Sequence, residues 1–355
     1  MHIMRTKSIA IGFAILAAAL YAINIPLSKL LLTHVDATMM AALLYLGAGV
    51  GMLLYSIAGT LLGKETIKEP LTRKELPYTI AMIVLDIAAP ILLMMGIART
   101  NSANVSLLNN FEIVATSLIA FVIFKEVISK QLCAAIGLVT LASIILGFEG
   151  TGSFSFHIGS LFVLGACICW GFENNCTKMI SSKSSVEIVI IKGCCSGLGS
   201  LMIALAIGEQ IPALRWMLCT LLLGFVAYGL SINFYIMAQK DLGAAKTSAF
   251  YSVAPFLGVG FSLLLLGERP TLQFYIALLI MVLATVLMVR DTLAVQHMHE
   301  HAHIHTHEHS HGDTVHTHEH THQHSHAHTH KHSEAVHTHK HLTLHGHNHF
   351  HSLQG

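Results

Sequence analysis

Apolar runs long enough to cross a bilayer follow one another almost without interruption from Ser8 to Arg290, and nothing else constrains the fold as strongly. In hydrocarbon every backbone polar group must find its partner within the protein, so spanning segments are helices or the strands of a closed barrel. A run of about 18–25 apolar residues at about 1.5 Å rise matches a helical crossing. The first such run is Ser8 to Leu32, and nine more are predicted near residues 37–62, 77–98, 101–124, 131–148, 157–181, 185–208, 214–239, 243–266 and 271–290. The chain is 54% hydrophobic with only 11% Asp, Glu, Lys and Arg, which excludes an ordinary soluble domain. The fold class is an all-α integral membrane protein of ten transmembrane helices, followed by a tail of different character.

Arg5 and Lys7 ahead of Ala17-Ala18-Ala19 imitate a cleavable leader, but the run is too long for one and contains Asn24, Pro26 and Lys29, so it reads as a retained span. Lys and Arg in the short loops set the orientation. With a cytoplasmic N-terminus the inner side holds thirteen: Arg5, Lys7, Lys64, Lys68, Arg73, Lys74, Lys125, Lys130, Lys178, Lys183, Lys240, Lys246 and Arg290. The outer side holds four: Lys29, Arg99, Arg215 and Arg269. Both termini are therefore expected in the cytoplasm, with the protein multi-pass in the cell membrane. Cys133, Cys167, Cys169, Cys176, Cys194, Cys195 and Cys219 all fall in spans, where a thiol acts as a small apolar group, and they imply no disulfide framework.

A weak internal repeat organises the ten helices. At an offset of 142, Ser102-Ala103-Asn104-Val105-Ser106 lies over Ala244-Ala245-Lys246-Thr247-Ser248, and Phe124-Lys125-Glu126 over Leu266-Gly267-Glu268. The second helix of each half carries a ladder of small residues, Gly47-Ala48-Gly49-Val50-Gly51 and Gly193-Cys194-Cys195-Ser196-Gly197, which lets helix backbones approach closely. Two copies of five helices, an odd number, must insert in opposite senses, the inverted repeat of many secondary transporters. The division is 1–149, 150–290 and a tail over 291–355.

This five-plus-five plan, the stretch Gly243-Ala244-Ala245-Lys246-Thr247-Ser248 leading through Pro255 to Gly267-Glu268, and the short last helix resemble the drug/metabolite transporter superfamily in its EamA-like branch. The resemblance implies movement of small solutes such as amino acids, nucleotide-related metabolites or drugs, commonly driven by ion gradients. The first half departs from the pattern. Glu112-Ile113 stands where the second half has Ala254-Pro255, and Lys125 replaces the glycine before Glu126. A basic residue often found early in the second helix is missing from the first half, and Lys192 takes that place in the second.

Charges inside spans are the candidate site. A charge at mid-membrane costs about 2.5–3.5 kcal/mol on insertion scales, so it faces a cavity or a partner. Asp86, Glu112, Glu173 and Lys192 are such charges, and Asn24 and Asn233 are amides expected to line the same substrate or ion path, as Asn109, Asn110, Asn174 and Asn175 could also do. A carboxylate there can bind a cation, carry a proton or simply be neutralised by Lys192 across a helix interface. Pro26, Pro90 and Pro255 sit inside helices and each removes a backbone donor. Cys169, Glu173 and Cys176, at i, i+4 and i+7, share one helix face as a weak soft-metal constellation.

The tail holds 24 of the 27 histidines, between His297 and His351. Those assigned to metal are His299, His301, His303, His305, His307, His309, His311, His316, His318, His320, His322, His324, His326, His328, His330 and His332. Several neutral imidazoles at His-x-His spacing suit nickel, cobalt, zinc or copper rather than magnesium or calcium. Six acids and two bases give residues 291–355 a net charge of −4 with neutral histidines and +20 with all protonated, so proton sensing is the competing reading. Few apolar residues make it disordered without a ligand.

Three functions remain open: a secondary transporter, in the exporting sense, of a small solute with a metal-binding tail; an efflux transporter of nickel, cobalt or zinc fed by the tail; and a non-transporting membrane sensor or store. An enzyme is not expected, because the chain has no P-loop, nucleophile elbow or H-E-x-x-H. No cofactor is required. The expected partners are the bilayer and a small molecule or ion; nucleic acid is excluded and a homodimer is allowed.

Overall fold

The computed structural model describes residues 2–62, 70–123, 125, 129–147, 157–180, 183–242, 247, 250–293, 296–311, 314–329, 336–340 and 348–352. Lys64, Lys68, Glu126, Gly243 to Lys246, Ser248, His330 and His332 lie outside them. Ten helical rods follow one another among the described residues. They are α1 (Ser8–Leu31), α2 (Ala37–Leu61), α3 (Leu76–Arg99), α4 (Ser102–Val122), α5 (Lys130–Gly147), α6 (Ile158–Ile180), α7 (Ser185–Ala206), α8 (Leu214–Ala238), α9 (Ala254–Leu266) and α10 (Leu272–Leu293). Eight are long and apolar enough to cross a membrane; α6 carries Glu173 and Lys178, and α9 is short.

The rods turn one face inward and an apolar face outward, and small residues recur on the buried side. On α1, Ala10, Ala14, Ala17 and Ala18 are fully buried at i, i+4, i+7 and i+8, while Ile15 and Leu16 are exposed. On α10, Phe274, Ala277, Met281, Ala284 and Met288 face inward and Leu279 is 72% exposed. In lipid no hydrophobic force separates one apolar surface from another, so close packing of small residues holds the helices together.

The packing pairs repeat the five-plus-five plan. Helix α1 packs on α8 and α3 on α6, the first helix of one half against the third of the other; α2 packs on α7 and α4 on α9. The α2–α7 contact is the meeting of the two ladders. A Cβ at Gly49 would collide with the backbone of Gly193 and Cys194, one at Gly193 with the backbone of Gly49, and one at Gly197 would lie 2.7 Å from the Leu46 amide nitrogen.

Glutamates from the second half cap helices of the first. The Glu209 carboxylate accepts from the Thr38 and Met39 amides at 3.2 and 2.6 Å, and Glu268 from Ser102 and Ala103 at 2.7 and 2.9 Å. These are orphan donors at helix N-termini, where negative charge also meets the helix dipole. At the same end of the bundle Lys29 Nζ donates to the Ile97 and Thr100 carbonyls at 2.5 and 2.9 Å, closing the C-terminus of α3.

The chain divides into two compact units, Met1–Val289 and Arg290–Gly355. In the second, β1 (Gln296–His311) pairs antiparallel with β2 (Thr314–Thr329), and β3 (Val336–Lys340) with β4 (Asn348–Ser352). The first register sets histidine opposite histidine from His297 and His328 to His309 and His316. Composition alone argues for a tail without regular structure. The His-x alternation has the period of a strand, and a two-stranded ribbon is marginal in water, so the two descriptions lie close in free energy.

Candidate functional site

Four of the rods are irregular, and the irregular turns converge. Helix α1 breaks at Ile23, between His2–Ala22 and Asn24–Leu31; α4 breaks at Asn109-Asn110; α8 contains a π segment at Phe225–Leu230; and α9 is preceded by turns at 252 and 253. Unwound or overwound backbone is tolerated at membrane depth where protein buries it or a cavity takes it. Here the breaks are tied to one another by side chains. Asn24 Nδ2 donates to the Tyr228 hydroxyl of the π segment at 3.0 Å, and Asn109 Nδ2 to Tyr21 at 3.3 Å.

Between them lies a cavity of about 250 Å³ lined by Tyr21, Tyr45, Glu112, Trp170, Glu173, Asn174, Lys192, Tyr228 and Tyr251, with Ala48, Val189, Gly193 and Ile232. Its charged lining comes from α4, α6 and α7, with Asp86 of α3 fully buried behind Lys192. Lys192 Nζ lies 3.1 Å from Asp86 Oδ2 and 3.0 Å from Glu173 Oε1. Asp86 is fully buried and also accepts from the Tyr45 hydroxyl at 2.9 Å, while Trp170 Nε1 donates to that same hydroxyl at 3.4 Å. Pro90, four residues after Asp86, has no N–H for the Asp86 carbonyl. Glu173 accepts in addition from the Thr177 hydroxyl. Glu112, in the first turn after the break in α4, accepts from Asn174 Nδ2 at 2.8 Å.

Much of the remaining lining is aromatic, Tyr21, Tyr45, Tyr228 and Tyr251, and Tyr235 extends the chain of rings beyond it. Tyr45 and Tyr228 have ring centroids 5.6 Å apart, Tyr228 and Tyr21 5.9 Å, Tyr21 and Tyr251 6.0 Å, and Tyr251 and Tyr235 5.1 Å, which makes a continuous chain of five rings drawn from α1, α2, α8 and the turn before α9.

Asp86, Glu173 and Lys192, singled out in the sequence, thus meet in one ion-pair cluster, and Glu112 shares their cavity; Asn24 holds Tyr228 from behind. Asn233 does not line the cavity. It donates to Met237 Sδ at 3.8 Å, and Ile232 stands in the wall instead. Of the other amides, Asn175 bonds the Thr116 and Gly171 carbonyls and Asn110 the Leu107 carbonyl, both structural roles. The seven cysteines are free thiols, and among the described residues no group of three His, Cys, Asp or Glu side chains could hold a metal ion, so Cys169, Glu173 and Cys176 do not assemble as a ligand set. His34 stacks on Trp216 at 4.0 Å and His157 Nδ1 bonds the Thr100 hydroxyl at 3.0 Å. The tyrosines are what sequence reasoning missed.

Ten helices in two mutually packed sets, with broken rods around a charged central cavity, define a membrane transporter. The model of the EamA-like transporter family matches residues 8–148 and again 157–290, and the chain belongs to that family. It is 24% identical over 274 residues, 72% of this chain and 78% of the relative, to an uncharacterized transporter of Methanothermobacter thermautotrophicus. A crystal structure of a protein with 13% identity superposes with a TM-score of 0.58, covering 79% of this chain and 97% of its own, a likeness of fold.

Proposed function

We propose that this chain is a secondary active exporter of a small organic solute, which it binds in the cavity between Lys192, Glu112 and the tyrosines, and that its tail binds transition metals at the cytoplasmic face of the cell membrane. The observation that carries the reading is the Asp86–Lys192–Glu173 cluster opening on a cavity at the irregular turns of α1, α4 and α8. Desolvated charges are costly in the membrane, and three on separate helices beside a cavity fit a path whose occupant changes their balance. The pseudo-symmetric packing supports alternating access, because two similar halves can exchange the roles of closed and open end.

Metal efflux is the second reading, favoured by the 24 histidines of the tail. A sensor or store that only anchors the tail leaves the cavity without a purpose.

The test is flux in vesicles reconstituted with the full chain and with a chain ending at Leu293. A panel of amines, amino acids and carboxylates is added under an imposed pH gradient, and proton flux is read from a trapped dye; radioactive nickel, cobalt and zinc are followed in parallel. Solute-dependent proton flux lost in Lys192→Met supports an organic-solute exporter. Metal flux that survives removal of the tail, with no solute response, establishes the metal transporter instead.

A further inference from the structure

We infer that the ligand of the central cavity is a small organic cation, an ammonium on an apolar or aromatic body, with Glu112 as its counter-charge; the inference rests on the transport reading and names the substrate class for the same site. Two carboxylates, Glu112 and Glu173, line the cavity, a third, Asp86, is buried behind its wall, and among the lining residues a single lysine answers them. Lys192 is held by Asp86 and Glu173 at 3.1 and 3.0 Å. Glu112 receives only the neutral amide of Asn174, and among the described residues it has no ion pair. A carboxylate at membrane depth without an ion-pair partner is expensive, and a ligand that brings one positive charge removes that cost.

The surroundings of Glu112 agree with such a ligand. Tyr21, Tyr228 and Tyr251 line the same cavity with Trp170, and ring faces attract an ammonium or its attached methylenes. Among the residues that line the cavity an anionic ligand finds no unpaired positive charge, because Lys192 already answers two carboxylates. A bare metal ion finds one carboxylate and phenols rather than a ligand set. The cavity, about 250 Å³, is near the small end of ligand pockets, roughly 300–1,000 Å³, which points to a monoamine with one ring or a short chain. Glu112 is also the place where the first half departs from the second, which has Ala254 in the equivalent position. The charge is therefore a property of one half, and it makes the cavity asymmetric.

The experiment is equilibrium binding to the purified full chain in detergent, by calorimetry and by tryptophan fluorescence, to which Trp170 of the cavity and Trp216 outside it contribute. The probe is phenethylammonium, compared with phenethyl alcohol, phenylacetate and phenylalanine. Phenethylammonium is expected to bind saturably and the neutral and anionic analogues at least about tenfold more weakly. Glu112→Gln keeps the hydrogen bond from Asn174 and is expected to raise the Kd for the amine by at least about tenfold, with Glu112→Asp in between. Both variants are accepted only with a melting profile close to the parent's. Preference for phenylacetate or phenylalanine, or unchanged amine affinity in folded Glu112→Gln, overturns the inference. Binding of the amine without its passage across vesicles leaves the inference standing and removes transport; passage of another solute with no amine binding does the reverse.

Discussion

Lys192 and Asp86 sit 3.1 Å apart on helices α7 and α3, with the aspartate fully buried. Because Glu173 is a second partner of the lysine at 3.0 Å, the three residues are not equivalent in what their removal leaves behind. Asp86→Asn or Glu173→Gln leaves Lys192 one carboxylate. Lys192→Met leaves two carboxylates facing each other with no cation, and breaking a buried pair from one side costs about 3–5 kcal/mol. Thermal unfolding in detergent should therefore rank Lys192→Met well below either carboxylate variant, and combining Lys192→Met with Asp86→Asn should recover part of the loss. Equal loss in all three single variants would mean that the cluster is not a shared pair.

The meeting of the two small-residue ladders makes a second contrast. At Gly193 a methyl group would enter the backbone of Gly49, whereas at Gly137 nothing lies within 4 Å of an added Cβ. Gly193→Ala is expected to destabilise by about 1–3 kcal/mol, the cost of overpacking. Gly137→Ala should be neutral or slightly stabilising, since alanine is the better helix former by about 1 kcal/mol. Unfolding midpoints of the two variants, measured in one detergent, check the prediction; indistinguishable midpoints count against close approach of α2 and α7.

Glu268 tests the caps. Its carboxylate accepts from both Ser102 and Ala103, at the start of the helix that carries Glu112. Glu268→Ala should cost about 0.5–2 kcal/mol, in the range of a lost N-cap. Glu268→Gln, still an acceptor but uncharged, should cost less. Amide hydrogen exchange localises the effect: faster exchange at 102–105 with unchanged exchange in α7 is the expected pattern.

The succession of apolar helices, the two-copy repeat and the charged cluster were all legible in the sequence, because each leaves a strong mark there: apolar length, recurrence at a fixed offset, and the cost of a charge in lipid. Asp86, Glu173 and Lys192 stand out in any hydropathy reading for that reason. Tyr21, Tyr45, Tyr228, Tyr235 and Tyr251 do not, since a tyrosine adds little to an apolar average. The available signal was their depth, because tyrosines in spans usually sit at the membrane interface. The π segment at Phe225–Leu230 left no mark in composition, and it explains Asn233: extra residues in a turn rotate everything downstream, so Ile232 takes the wall position. The breaks in α1 and α4 were half visible, through Pro26 and the pair Asn109-Asn110.

The tail provides the last test. Residues from Arg290 onward form a unit distinct from the helical body, so a chain ending at Leu293 should keep the unfolding midpoint of the full chain to within about 2 °C, roughly the shift of a 1 kcal/mol change in a body of this size. Its metal binding should vanish. Calorimetry with nickel and zinc should give several equivalents per full chain and none for the shortened one, because only the tail supplies imidazoles at His-x-His spacing. The pH dependence has a definite sign: a ligand imidazole must be neutral, so binding is complete above about pH 6.5 and is lost as pH falls through it. Tight nickel or zinc binding retained by the shortened chain, and weakened by Asp86→Asn or Glu173→Gln, would move the metal from the tail to the cavity and with it the assignment of the transported ligand.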